Sequence, residues 1–337
     1  MNLSQRARLW AKLLLTVLVS LFFVYVFLQG IDLAEVVDAL VQADYVYVPF
    51  ALLLFATSLV LRALRWQVFY RPGKVPLRVL FLVLLITYAG NNLLPLRAGE
   101  IVRAQVLRDR AGISRLRTLG AAAVERLFDF AVLGSFVLCG VFLGDIGLAF
   151  ASVGLVLAGG AVFGLALGWA FVRRPDALER ALPRRIVPAG WRERAKEYGD
   201  LFRAGLGVLG SGAQFRNAAV LTLAAWLLEF GMYYLMAASF SLGESYPTIA
   251  FAGAAANLAL SIPFSQAGVG PFQAVTKEAL LRFGVATNAA AAYAIALHIV
   301  LVAPVSVAGL LVLWATLQSG RALIRPSVAA ETTDPVA

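Results

Sequence analysis

The chain has 337 residues, of which 61% are hydrophobic and 14% charged, against roughly 25% charged and about 45–50% apolar in an average soluble domain. Such an apolar excess cannot be hidden inside a water-soluble shell, which excludes a soluble globular protein and makes domain counting by length inapplicable. The formal net charge is +10; in a membrane protein the placement of basic residues says more than their sum, and nucleic acid is not expected as a partner. A lone cysteine, Cys139, excludes a disulfide framework.

Charge-free runs long enough to cross about 30 Å of hydrocarbon mark the spans. The first, residues 13–28, follows Arg6, Arg8 and Lys12, and with residues 9–11 it reaches about twenty residues. No small-residue cleavage site follows it, so it reads as an uncleaved helix rather than a signal peptide. Residues 45–61 form the second, bounded by Asp44 and Arg62. Residues 79–96 are uncharged but end in Asn91-Asn92-Leu93-Leu94-Pro95. Residues 118–144 are long enough to span yet hold Glu125, Arg126 and Asp129; 146–172 is clean, and 217–243 holds one acid, Glu229. Residues 245–276 are broken by Pro247, Pro263, Gly268, Gly270 and Pro271, and 283–320 holds a last span.

Lys and Arg mark the cytoplasmic side. Residues 62–78 carry five and 173–216 carry ten, whereas 29–44, 144–147 and 243–247 carry none. Both termini are therefore expected in the cytoplasm, with Trp10, Trp66, Trp169 and Trp314 as interfacial anchors. A full crossing by 79–96 would place the six arginines of 97–117 outside. A re-entrant hairpin turning near residues 92–99 removes that conflict, and 247–282 reads as a second, entering from the opposite side. Proline-kinked full spans are the alternative. The expected fold is an all-α polytopic membrane protein of about six full spans plus two re-entrant helical hairpins. It would form one domain over 1–325, with half-repeats 9–144 and 146–320, a basic connector 173–216 and a disordered tail 326–337.

The halves match as an inverted repeat. Asn92-x2-Pro95-x2-Ala98-Gly99 answers Asn257-x5-Pro263-x3-Ala267-Gly268, and Arg126 and His298 each lie 14 residues beyond Gly112 and Gly284. Broken helices meeting near the midplane of an inverted repeat are the build of many transporters, with the substrate at the repeat interface. Charges at that depth need a partner or a purpose. Arg97, at the start of a helix, suits a phosphate, although snorkelling to the headgroups is the plainer account. Gly99 allows the turn, and Glu100 and Arg103 are spaced to pair. Arg126 and Asp129 are one turn apart, and Glu125 with Asp129 leaves a negative surplus for which Arg97 or Arg103 is the expected cation. A structural network is the competing reading. Ser265-Gln266-Ala267-Gly268-Val269-Gly270-Pro271 reads as a tight turn before a helix whose N–H groups face the cavity. Asn91, Asn92, Glu229, Glu278 and His298 are secondary candidates. Glu229 and Glu278 would pair with Arg126, Lys277 or Arg282, or carry a proton. No metal site, cofactor loop, hydrolase elbow or Walker loop is expected. The spacing of Trp191, Ala195, Tyr198 and Phe202 reads as an amphipathic helix on the inner leaflet or a plain connector.

The run Asn91-Asn92-Leu93-Leu94-Pro95-Leu96-Arg97-Ala98-Gly99-Glu100, with Gly112-Ile113-Ser114, Glu125-Arg126-Leu127-Phe128-Asp129 and Pro263-x4-Gly268-Val269-Gly270-Pro271-Phe272, resembles a known family. It is similar to the transmembrane, flippase-like region of lysylphosphatidylglycerol synthetases, over about residues 10–320. The resemblance implies a multi-pass protein of a bacterial or archaeal plasma (inner) membrane that handles a phospholipid or lipid-linked sugar. It carries over Arg97, Gly99, Glu100, Arg126, Asp129, Gly268 and Gly270. In the family an Arg often stands where this chain has His298. Lysyl transfer belongs to a separate soluble domain of the bifunctional members and is not expected here.

The expectation is therefore a lipid translocator without enzyme activity or cofactor, gripping an anionic headgroup at a midplane site between the hairpins. Its partners would be membrane lipids, with a second copy or a separate lipid-modifying enzyme as protein partner. A membrane-embedded lipid transferase (or its accessory subunit) and an ion-coupled small-solute transporter are the alternatives.

Overall fold

The computed structural model describes residues 3–70, 75–94, 98–174, 189–260 and 267–318. Expectations for Arg97, Ser265, Gln266 and the 326–337 tail lie outside these residues. Among the described residues there are twelve α-helices and no strand. A chain this apolar, in lipid, satisfies its backbone within each segment, and helices do so.

Helix α1 (Leu3–Leu28) is followed by α2 (Leu33–Gln42) at a bend of 83°. Gly30 makes the bend at φ +71°, and the Asp32 carboxylate caps α2 by accepting the N–H groups of Ala34 and Glu35. Helix α3 (Val48–Phe69) continues a 3-10 turn at Tyr45–Tyr47. The first hairpin is α4 (Leu77–Leu93) and α5 (Gly99–Ala111), and α6 (Arg115–Cys139) and α7 (Gly147–Arg173) complete the first part. Then come α8 (Ala189–Gly205), α9 (Gly212–Ser239), the second hairpin α10 (Tyr246–Leu260) and α11 (Pro271–Leu281), and α12 (Thr287–Gln318).

Among the described residues, four helical segments are long and apolar enough to cross a bilayer: Tyr45–Phe69, Gly147–Arg173, Gly212–Ser239 and Thr287–Thr316, and the bent pair of α1 and α2 makes a fifth if counted as one. Helix α6 has the length, at 25 residues, but carries three charges in its apolar stretch. At 17 and 15 residues, α4 and α10 rise only about 26 and 23 Å. The chain is thus an all-helical, multi-pass membrane protein.

The main packing pairs are α3 with α9, α6 with α7, and α4 with α12; each hairpin packs on itself, and α10 lies on α6. Glycines set the closest approaches. A Cβ at Gly99 would stand 2.1 Å from the Thr87 carbonyl oxygen, and one at Gly309 would stand 2.3 Å from that of Leu85.

Two expectations are corrected. The second helix does not stop at residue 61: α3 runs on to Phe69 with Arg62 and Arg65 buried, because carboxylates of α6 and α9 face them. Those two arginines are therefore not part of a basic loop. Trp66 is buried and not an interfacial anchor, whereas Trp169 and Trp314 are exposed. The connector helix α8 docks its C-terminal end on α6, where Gly205 meets the backbone of Arg117, Gly120 and Ala121.

Candidate functional site

On α3, Arg62, Arg65 and Trp66 are spaced i, i+3, i+4 and so share one face. Opposite stand Glu125 and Asp129 of α6 and Thr222, Trp226 and Glu229 of α9, again at helical spacing. Arg65 donates to Glu125 at 2.6 Å, to Asp129 at 2.7 Å and to the Thr222 hydroxyl at 3.0 Å. Arg62 donates to Glu229 at 2.7 Å and lies 4.0 Å from Asp129. The indole N–H of Trp66 reaches Glu125 at 2.9 Å, and that of Trp226 reaches Asp129 at 3.1 Å.

The first hairpin joins this cluster through α5. Arg103 donates to Glu125 at 2.8 Å, to Glu100 at 3.3 Å and to the Tyr70 hydroxyl at 3.1 Å. Its guanidinium lies 3.6 Å from the centre of the Trp66 ring, and that of Arg62 lies 4.4 Å from the Trp226 ring, each a cation–π contact. Arg126 donates to Glu100 at 2.8 Å but stands 4.0 Å from Asp129. Its side chain is 43% exposed, against 1% for Arg65 and Arg103.

Among the described residues the cluster holds four arginines (62, 65, 103, 126) and four carboxylates (100, 125, 129, 229). All eight carboxylate oxygens accept a hydrogen bond, the last from Tyr233 to Glu229 at 3.2 Å. Charges this deep persist only when paired and hydrogen-bonded. Arg126 is the one arginine of the four with an open side.

Beside the cluster lies a cavity of about 120 Å³. Its charged wall is formed by Arg62, Glu100, Arg103, Glu125, Arg126, Asp129 and Glu229. A second wall is polar but uncharged, with Tyr88, Asn91 and Asn92 on one face of α4 and Asn257 on α10. The third is apolar: Phe55, Phe130, Leu133, Leu260, Leu301, Val302 and Val305. Gly268, at φ +80°, brings the tip of the second hairpin to the same space.

The expected residues divide accordingly. Glu100, Arg103, Glu125, Arg126, Asp129, Asn91, Asn92, Glu229 and Gly268 meet at the cavity. Gly99 instead seats α5 on α4. Gly270, at φ +94°, packs on the α1 backbone at Ser20 and donates its N–H to Gln273. His298 is held by Gln273 at 2.5 Å and the Ala267 carbonyl at 3.0 Å, behind the turn. Glu278 pairs with Arg282 at 2.8 Å, with both side chains half-exposed, and Lys277 donates to the carbonyls of Phe27 and Gln29. Two partner assignments change. Glu229 pairs with Arg62, and Arg126 pairs with Glu100 more closely than with Asp129, which Arg65 already holds. Sequence reasoning missed Arg62, Arg65, Trp66, Tyr88 and Trp226. The signal for the first three was their i, i+3, i+4 spacing in an apolar helix, facing an acidic pair short of a cation. Among the described residues no group of three or more His, Cys, Asp or Glu is placed to hold a metal.

A family model of the lysylphosphatidylglycerol synthase TM region matches residues 13–309. The chain belongs to that family. The resemblance read from the hairpin motifs therefore holds over most of the chain. Among its relatives is a protein named Glycosyltransferase AglD, from Haloferax volcanii, 29% identical over 316 residues that cover 81% of this chain and 48% of AglD. The chain thus spans about half of AglD's length. A UPF0104 membrane protein of Methanothermobacter thermautotrophicus is 25% identical over 268 residues, covering 75% of this chain and 78% of that protein.

Proposed function

We propose that this protein is a lipid translocator of a bacterial or archaeal plasma membrane, with both termini cytoplasmic. In this reading α1, α3, α6, α7, α9 and α12 cross the bilayer, and the two hairpins are re-entrant halves of an inverted repeat. The reciprocal packing of α4 on α12 and α10 on α6 supports the repeat, since each hairpin lies on the helix that follows the other. The observation that carries the function is the three-walled cavity between the hairpins. An amphiphile fits it: phosphate at Arg126, headgroup along the polar wall, acyl chain toward the apolar one. Broken helices beside such a site supply the moving parts of transporters.

Reconstitution into vesicles with tail-labelled lipids tests this reading. Protein-dependent movement between leaflets, lost in Arg126→Gln, is the expected result. No movement of any anionic or glycosylated lipid by folded protein sinks it. AglD's name favours a second reading, in which the chain presents a lipid to a transferase or takes part in the transfer, Glu100 or Glu125 serving as base. Mass spectrometry of lipids incubated with pure protein separates the two, because only a transferase changes the lipid's mass.

A further inference from the structure

The turn of the second hairpin is held by a chain of hydrogen bonds whose directions are fixed. The Gly270 N–H can only donate, so Gln273 presents its side-chain oxygen to it at 2.9 Å and turns its amide NH2 toward His298 Nδ1 at 2.5 Å. The Ala267 carbonyl can only accept, so His298 Nε2 carries a proton and donates it at 3.0 Å. Nδ1 is therefore bare, and the chain is complete only with a neutral imidazole in its Nε2–H tautomer. We infer that Gln273 and His298 are positioning residues of the cavity wall that work as a proton-operated latch, closed while His298 is neutral and released when a proton from water occupies Nδ1. The inference stands whatever the cavity binds.

Release follows from counting donors. A proton on Nδ1 sets it against the Gln273 amide, donor to donor. Turning that amide over restores the contact with His298 but faces its NH2 to the Gly270 N–H. Either way one bond is lost, and Gly270 is buried at the start of α11, where its N–H has the Gln273 side chain as its cap. The segment is poised to move: Ala267 holds φ +51°, which few non-glycine residues adopt, beside Gly268 at +80° and Gly270 at +94°. Ala267 and Gly268 both line the cavity, so what the latch holds is part of its wall.

The charged and titratable groups on the surrounding elements have other partners. On α12, Tyr293 donates to the Tyr233 carbonyl. On α11, Lys277 is taken by the carbonyls of Phe27 and Gln29, and Glu278 by Arg282. Helix α1 meets the turn through Ser20, Phe23 and Val24, and residues 261–266 hold no titratable side chain. Helix α2 brings Asp32 and Glu35 to Asn288, ten residues or about 15 Å along α12, and its Asp38 is exposed. Across the cavity the arginines and carboxylates are paired with one another, with Tyr88 beside them.

His298 is the chain's only histidine, so its nitrogen signals need no assignment. Full-length protein carrying 15N-histidine, in phosphatidylglycerol–phosphatidylcholine vesicles, is titrated by solid-state NMR from about pH 8 to about pH 4.5, a range that brackets ordinary imidazole titration. Amide hydrogen exchange of residues 267–275 is measured beside it, against unstructured peptide at each pH. The Nε2–H tautomer is expected at the alkaline end. Through the imidazole titration, protection of the turn should fall about ten-fold, as for one buried hydrogen bond lost, while α9 keeps its own. His298→Gln should flatten the profile. Gln273→Glu should reverse it, because a carboxylate accepts from Gly270 and from a protonated Nδ1 together. A merely structural role would lower protection in both variants and leave the sign of the pH slope alone. The inference is overturned by an Nδ1–H tautomer, an imidazole that stays neutral throughout, or titration without a change in the turn. A slope that survives in His298→Gln, a Gln273→Glu slope of unchanged sign, or α9 opening together with the turn overturns it as well. Absence of lipid movement in vesicles leaves all these signals untouched, so the latch and the translocator reading fail separately.

Discussion

Arg65 and Arg126 bear opposite relations to the same cluster. Arg65 is fully enclosed by Glu125, Asp129 and Thr222, so Arg65→Ala leaves buried Asp129 with no cation closer than 4.0 Å, while Glu125 keeps only Arg103. A loss of about 3–5 kcal/mol follows, read as a lower thermal unfolding midpoint and reduced folded yield in detergent. Arg62→Leu should be similarly damaging, but Arg62→Leu with Glu229→Leu should recover much of the loss, since removing both partners strands no charge. Arg126→Gln should change stability by about 1 kcal/mol or less, because its pair with Glu100 is part-exposed, while abolishing translocation. The need of Glu125 and Asp129 for a cation, and the spacing of Glu100 and Arg103, were legible in the sequence. Arg103 was legible as one such cation and holds Glu125; Arg65, which holds both acids, was not. Arg65 and its acids are about 60 positions apart, and an arginine at the end of an apolar run looks the same whether it faces headgroups or a buried acid.

Among the elements, the close helix crossings decide what can be altered. Gly309→Val would drive a Cβ into the Leu85 backbone and Ala89, prising α12 from α4 and spreading the cavity between them. Overpacking of this kind is destabilising by about 1–3 kcal/mol and should lower both the unfolding midpoint and lipid retention. Gly159→Ala and Gly160→Ala on α7 meet nothing within 4 Å and should leave both unchanged or slightly improve the midpoint. The hairpin arms could be read from the prolines and glycines that interrupt 79–96 and 245–276. The end of α3 could not, because charge marks a membrane boundary only when no opposite charge waits inside the bundle.

For the whole molecule, orientation is open to a direct test. After Cys139→Ala, which removes the chain's only cysteine, Asp38→Cys on α2 should react with an impermeant maleimide from outside intact cells. Glu197→Cys on α8 should react only after lysis. The reverse pattern would invert the topology and exchange the leaflets that the two hairpins enter. The net charge of +10 takes on a sharper meaning at this scale. Most of the basic residues lie in the flanks and connectors, while the described arginines of the cavity cluster are matched one for one by carboxylates. That balance has an electrical consequence. Each elementary charge moved across the membrane potential exchanges about 2.3 kcal/mol per 100 mV, but a paired cluster shifting as a unit moves none. If the protein is the lipid translocator proposed above, its own stroke is electrically silent, and any voltage dependence of transport reads the charge of the cargo.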